Sequence, residues 1–245
     1  MQKENIITIL ASVALSVLVS TAVAPKNKEV APAVHNINAS IESYLKSNPT
    51  IIRETLELAA RKEQEEAEKR VLESYKANID ELHNTDNLLY VGPKDAKITI
   101  VEFFDFNCGY CKRLAPALLK AIKNNPDVRV VFKPVGFLGE TSETAAKAIL
   151  AAAEKGKFFE IYEGLLTHNG RITNEVIDEQ IKKAGLNVDE IKELMKTTSI
   201  DKKYEDVAAL SRKVEVRGVP TMIINGSPLR TIDYEPIQRA IDNLK

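Results

Sequence analysis

The 245-residue sequence has no tryptophan, two cysteines and three histidines. The cysteines, Cys108 and Cys111, lie three positions apart, so no distant pair can cross-link the fold and any cysteine chemistry is confined to one place. Three scattered histidines, His35, His83 and His168, argue against a conventional multi-ligand metal site. Charge of one sign is lacking as well. The 34 basic and 35 acidic residues leave a net charge of −1, without the basic excess of a nucleic-acid binder, and no nucleic-acid partner is expected. Ten glycines and ten prolines are too few for a collagenous or low-complexity chain. The 44% hydrophobic and 28% charged residues are ordinary globular composition, which also argues against a multi-pass membrane protein. The length suits one large domain, or a core domain with an extension.

The N-terminus is the one place with a long apolar run. Ile6 to Ala24 is 19 residues without a charge, and Ala22-Val23-Ala24 supplies the small residues of a signal-peptidase site. The preceding residues are barely positive and Pro25 follows directly, so cleavage after Ala22 is an alternative. Nineteen uncharged residues also just suffice for an uncleaved membrane anchor over residues 6–24. A cleaved signal over residues 1–24 is favoured over a buried core helix, which predicts a periplasmic or otherwise extracytoplasmic chain.

Residues 25–86 are expected to form a helical extension. Asn38 to Leu82 reads as helix, interrupted at Asn48-Pro49, where Pro49 suits the first turn of a new helix. Ile52, Leu56, Ala59, Ala67, Val71, Tyr75, Ile79 and Leu82 recur at steps of three or four, leaving a charged gap at residues 61–70 that reads as a solvated linker. An amphipathic helix needs a partner for its stripe. The partner is either the body of the same chain or further copies of it, and a homo-oligomer through residues 36–82 is the expectation.

The body, residues 87–245, begins with a buried strand from Lys97 to Phe106, rich in β-branched and aromatic residues. It runs into Asn107-Cys108-Gly109-Tyr110-Cys111 and a helix to Asn124. A second strand is expected over Val128–Val135, and a helical insert at about residues 141–214. Gly218-Val219-Pro220-Thr221 leads into a third strand, Asn225-Gly226 is a hairpin turn signal, and Pro228–Ile232 is its partner strand. Pro236–Leu244 closes as a helix. The fold class is therefore α/β with an inserted helical domain, preceded by a helical arm.

At a strand-to-helix junction, unpaired backbone N–H groups and the positive end of the helix dipole favour a thiolate at Cys108, with Cys111 one turn inside to resolve a mixed disulfide. The same stabilisation makes the disulfide more oxidising. A purely structural disulfide over so short a loop would contribute little stability. A zinc site lacks two further ligands. Cu(I) held by two soft thiolates stays open beside redox catalysis.

With these residues in hand, the chain resembles the thioredoxin-fold, DsbA-like thiol–disulfide oxidoreductases of the bacterial periplasm. It particularly resembles the subgroup with an N-terminal helical extension, the ScsC-type and Com-type proteins. The resemblance rests on Val101-Glu-Phe-Phe-Asp-Phe-Asn-Cys-Gly-Tyr-Cys together with Gly-Val-Pro-Thr at residues 218–221, and covers about residues 90–245. It implies that Cys108 is the nucleophile, Cys111 the resolving thiol and Pro220 the cis-proline facing the disulfide, with Gly109 and Tyr110 supporting the site. Val219 matches a position where the family's oxidases often carry Val and its isomerases Thr. Glu102 matches a buried acid that helps move the proton of the resolving cysteine. From the residues alone it is an acid on an apolar strand, costly to bury without purpose, or else an edge acid that is partly exposed. Lys133 is a candidate charge partner for it. Pro116 is expected to kink the active-site helix, and Phe104, Phe106 and Tyr110 to be either client-facing or core. The family's best-known oxidase has histidine where Tyr110 stands, which implies a less oxidising potential here. No cofactor is expected beyond the redox-active pair. The implied partners are cysteine-containing exported proteins and a membrane redox partner. Oxidase and isomerase both remain open.

Overall fold

The computed structural model describes residues 31–245, with side chains from residue 37. The expected signal segment, residues 1–24, lies outside the described residues. Among the described residues no helix is long and apolar enough to cross a membrane. The chain divides into two compact units between Glu63 and Gln64.

In the first unit, helix α1 (Ala31–Ser47) ends where the Asn48 side chain donates to the Tyr44 carbonyl at 2.9 Å. Helix α2 (Pro49–Ala77) starts at the proline, whose missing N–H is one the first turn leaves unpaired anyway. Ile37, Ile41, Tyr44, Ile52, Leu56 and Leu58 are all exposed. Residues 61–70, the charged gap in the stripe, continue the helix and are mostly exposed. They are nearly all good helix formers, and Gln64–Glu68 and Lys69–Glu73 pair at i,i+4.

The second unit is built on a five-stranded sheet in the order β1-β3-β2-β4-β5. The strands are β1 (Tyr90–Val91), β2 (Thr99–Phe104), β3 (Arg129–Pro134), β4 (Thr221–Ile224) and β5 (Ser227–Leu229). The central strand β2 pairs parallel with β3 and antiparallel with β4, and all six of its residues are buried. A strand covered on both faces reads as an unbroken apolar run, as Ile98–Phe106 does apart from its acids and Thr99. Alternate residues serve two cores. Ile100 and Phe104 face one core, with α4 (Gly109–Asn124), the insert helices and α10 (Tyr234–Asp242). Val101 and Phe103 face the other, with Tyr75 of α2, Leu82 of α3 (Ile79–His83) and Leu210 of the long helix Thr198–Lys213. The C-terminal part of the expected amphipathic stripe is thus covered by this unit's own body, whereas Ile52 and Leu56 remain exposed.

The insert comprises α5 (Glu140–Ala153), α6 (Phe158–Leu166), α7 (Asn174–Lys183), α8 (Val188–Met195) and α9 (Thr198–Lys213). Asn225 and Gly226 both adopt positive φ, 45° and 78°, as a tight hairpin turn requires. Strand β5 stops at Leu229 rather than Ile232, where Thr231 N–H turns back to the Leu229 carbonyl at 3.3 Å.

Lys133 does not pair with Glu102. The register sets Lys133 opposite Phe103 and Glu102 opposite Phe132, so the two side chains leave opposite faces of the sheet. Lys133 Nζ instead donates to the carbonyls of Asn84 (3.0 Å) and Glu81 (3.4 Å) at the end of α3. Burial pushes its ammonium down to about 8, with Asp86 opposing.

Candidate active site

Helix α4 explains the unequal exposure of the two cysteines. Cys111, Leu114, Ala115, Leu118 and Ala121 recur at steps of three and four and are all buried, so Cys111 lies on the stripe that faces the core. Cys108 is the N-cap residue, in extended conformation, at the edge of the same core cluster. Both residues are buried, Cys108 at 8% exposure and Cys111 at 0%. Both thiols are free. A Cβ added at Gly109 would meet nothing within 4 Å, so the approach over the first turn is open. Tyr110 projects outward, 61% exposed, with the Arg113 guanidinium 5.4 Å from its ring centre. Phe104 and Phe106 belong to the core, which separates the three aromatics that the sequence left together. Pro116 sits on the exposed side of α4, and one helix spans Gly109–Asn124 through it.

Across from the helix start, the Val219–Pro220 peptide is cis. The Cys108 thiol donates to the Val219 carbonyl at 3.3 Å. Val219 and Pro220, 111 and 112 residues along the chain, are thereby brought to the sulfur.

Glu102 lies fully buried on the face shared with Ile100 and Phe104. Its Oε2 accepts from Tyr162 Oη at 2.7 Å, and its Oε1 has no hydrogen-bond partner. Phe104 and Phe132 pack on Tyr162 with ring centres 5.2 and 4.5 Å away, leaving little to solvate a charge. Burial pushes the carboxyl up to about 8, so at neutral pH it is mostly protonated. Burial also drives the Cys111 thiol far above its ordinary range, and the charges of Glu102 and Cys108 push the same way. A thiolate at Cys111 is therefore costly, and the buried Glu102 carboxyl still holds a proton at pH 7.

Two polar tethers fix the loop to the insert. Buried Asp105 accepts from Asn107 N–H (2.8 Å), Ser142 Oγ (2.7 Å) and Leu138 N–H (2.9 Å). Asn107 reaches Thr141 and Ser142 through its amide nitrogen, and its oxygen accepts from Ile172 N–H at 2.9 Å. Asp105, Asn107, Ser142 and Tyr162 were not singled out from the sequence. Asp105 offered a signal, since an acid two residues before Asn107 in a strand-to-helix turn is Asx-turn chemistry. Tyr162 offered none, being one of seven tyrosines. Among the described residues no cluster of three or more His, Cys, Asp or Glu side chains could hold a metal ion.

Residues 99–242 match the family of DSBA-like thioredoxin domains. The Na(+)/H(+) antiporter NhaA 3 of Salinispora tropica is 31% identical over 138 residues, covering 55% of this chain and only 21% of the antiporter's length. The probable disulfide bond formation protein D of Bacillus cereus is 26% identical over 165 residues, 62% of this chain and 76% of that protein. Among solved structures, a linker-deletion variant of Proteus mirabilis ScsC superposes with a TM-score of 0.64. It is 26% identical and covers 89% of this chain and 98% of that one.

Proposed function

Because the chain belongs to the family of DSBA-like thioredoxin domains, we propose that it is an exported thiol–disulfide oxidoreductase acting on the cysteines of other exported proteins. The observation that carries the reading is the asymmetry of the pair: Cys108 at the helix start against the Val219 carbonyl, Cys111 fully buried within the helix, with the equally buried Glu102 on the neighbouring strand. In the oxidising direction a client thiolate attacks the Cys108 sulfur of the Cys108–Cys111 disulfide. The Cys108–client bond forms and the Cys108–Cys111 bond breaks. The electron pair goes to Cys111, whose buried thiolate takes up a proton that Glu102 can supply. A second client thiolate then attacks the client's own sulfur, Cys108 leaves as thiolate, and the client has lost two electrons to the pair. A membrane redox partner would withdraw those electrons.

Isomerisation is the second reading, in which reduced Cys108 attacks a wrong client disulfide. What favours it is the set of exposed apolar side chains between Ile37 and Leu58, which suit burial against a second copy of this chain. An oligomer would hold several active sites around one client.

One experiment separates the readings: the full chain is given a reduced multi-disulfide substrate and, in parallel, the same substrate with scrambled disulfides. Oxidation of the first without rescue of the second is expected of a dithiol oxidase. Rescue of the scrambled form, with light scattering showing an oligomer, would establish the isomerase. Activity in neither would contradict both and leave Cu(I) as the remaining chemistry of the two thiols.

A further inference from the structure

A client in mixed disulfide with Cys108 is covalently held, with S–S about 2.05 Å, so the residues beside its cysteine must lie in whatever space adjoins the sulfur. That space is a groove of about 530 Å³, within the usual range of recognition clefts. Its redox end is made by Tyr110, two residues after Cys108, and by Pro220, which follows the Val219 carbonyl that meets the Cys108 sulfur. Leu229 at the end of β5 and Ile232 beyond it continue the groove. The facing side comes from Val71 and Tyr75 of α2, which precede the matched family domain by more than twenty residues. Extended chain advances about 3.3–3.6 Å per residue, so client positions one or two from the cysteine reach this part.

We propose that the segment of α2 from Glu68 to Tyr75 is one wall of the client groove, and that it selects cysteines flanked by apolar side chains. The inference rests on the thiol–disulfide exchange reading above and assigns its client specificity. The lining at this end is apolar, while the basic group at the rim, Arg230, is bound to Glu68 at 2.8 Å. That ion pair joins the two walls and neutralises the charge that would otherwise attract acidic clients; Asp233 leaves the rim slightly acidic. Val71 is half-buried and Tyr75 is packed into the second core, so the wall is a fixed surface.

The test uses the full oxidised chain and two short peptide thiols, Leu-Cys-Leu and Ser-Cys-Ser, with the rate of reduction of the Cys108–Cys111 disulfide followed by intact mass. The wild-type chain should react about tenfold faster with the leucine peptide, the scale on which an apolar site discriminates. Val71→Asp places a charge in the wall, and the exposed Arg230→Glu sets two acids against each other where the walls join. Each should bring the ratio of the two rates close to one. A ratio unchanged in both variants, or no preference in the wild type, would overturn the role of the wall while leaving the oxidoreductase reading intact. A wild-type disulfide that exchanges with neither peptide nor with dithiothreitol would overturn that reading, and the groove's role with it.

Discussion

Serine at position 108 is expected to abolish disulfide transfer, lowering the rate by about three orders of magnitude or more, as loss of an essential nucleophile does elsewhere. The expectation follows from position. Cys111 is fully buried on the core stripe of α4, so no client sulfur can reach it directly, and Cys108 at the N-cap is the sulfur with an open approach. Serine at position 111 acts differently. Cys108 is then a lone thiol that still attacks a client disulfide, but nothing resolves the product, so a Cys108–client adduct accumulates and turnover stops. The two variants separate the roles where a simple loss of fold would not, because only Cys111→Ser should trap an adduct. Turnover retained by Cys108→Ser would refute the assignment.

The second large effect is on stability and its dependence on pH. Glu102 has an ordinary carboxyl value near 4.5 and is pushed up to about 8 by burial. Between those values the folded chain holds a proton that the unfolded chain has released. The folded state therefore binds more protons, and stability falls as pH rises through this window. Below about pH 4.5 the penalty is absent, and above about 8 it is complete, on the order of 4–5 kcal/mol from this one group. Glu102→Gln removes the titration and leaves an amide that the aromatic shell cannot fully satisfy, a pH-independent cost of about 1–3 kcal/mol. The variant should be somewhat less stable than the wild type at pH 4.5 and more stable at pH 8.5. Urea unfolding of the reduced chains at the two pH values measures the crossing. Lys133, lowered to about 8, adds its own change at higher pH and in the opposite sense, so pH 8.5 is the upper limit for a clean comparison. A stability difference that does not change with pH would mean that Glu102 is ionised in the folded chain across the whole window.

Sequence patterns carried the fold where local chemistry decides it. The step of three and four through Cys111, Leu114, Ala115 and Leu118 marks α4 and its buried face. The apolar run before Cys108 marks a strand covered on both sides, and Asn225-Gly226 marks the hairpin with both residues at positive φ. Strand β1 escaped because two residues, Tyr90 and Val91, carry no periodicity. The partner of Glu102 escaped for another reason. Register between β2 and β3 is set by packing across 30 residues of chain, and shifting attention from Phe132 to Lys133 crosses to the other face of the sheet. Tyr162, 60 residues from Glu102, and Ser142, 37 from Asp105, reach the site only because the insert folds over it. The arm divided in the same way. Its stripe was visible in the sequence, but nothing local said that Tyr75 and Leu82 would enter the body's second core while Ile52 and Leu56 stay exposed.

The most direct measurement is the intact mass of the oxidised full chain after mixing with a reduced two-cysteine peptide. If the pair exchanges disulfides, the peptide loses two hydrogens and the chain gains two, and no other residue changes mass. A peptide that stays reduced beside a chain whose Cys108–Cys111 disulfide stays intact would contradict the proposed activity.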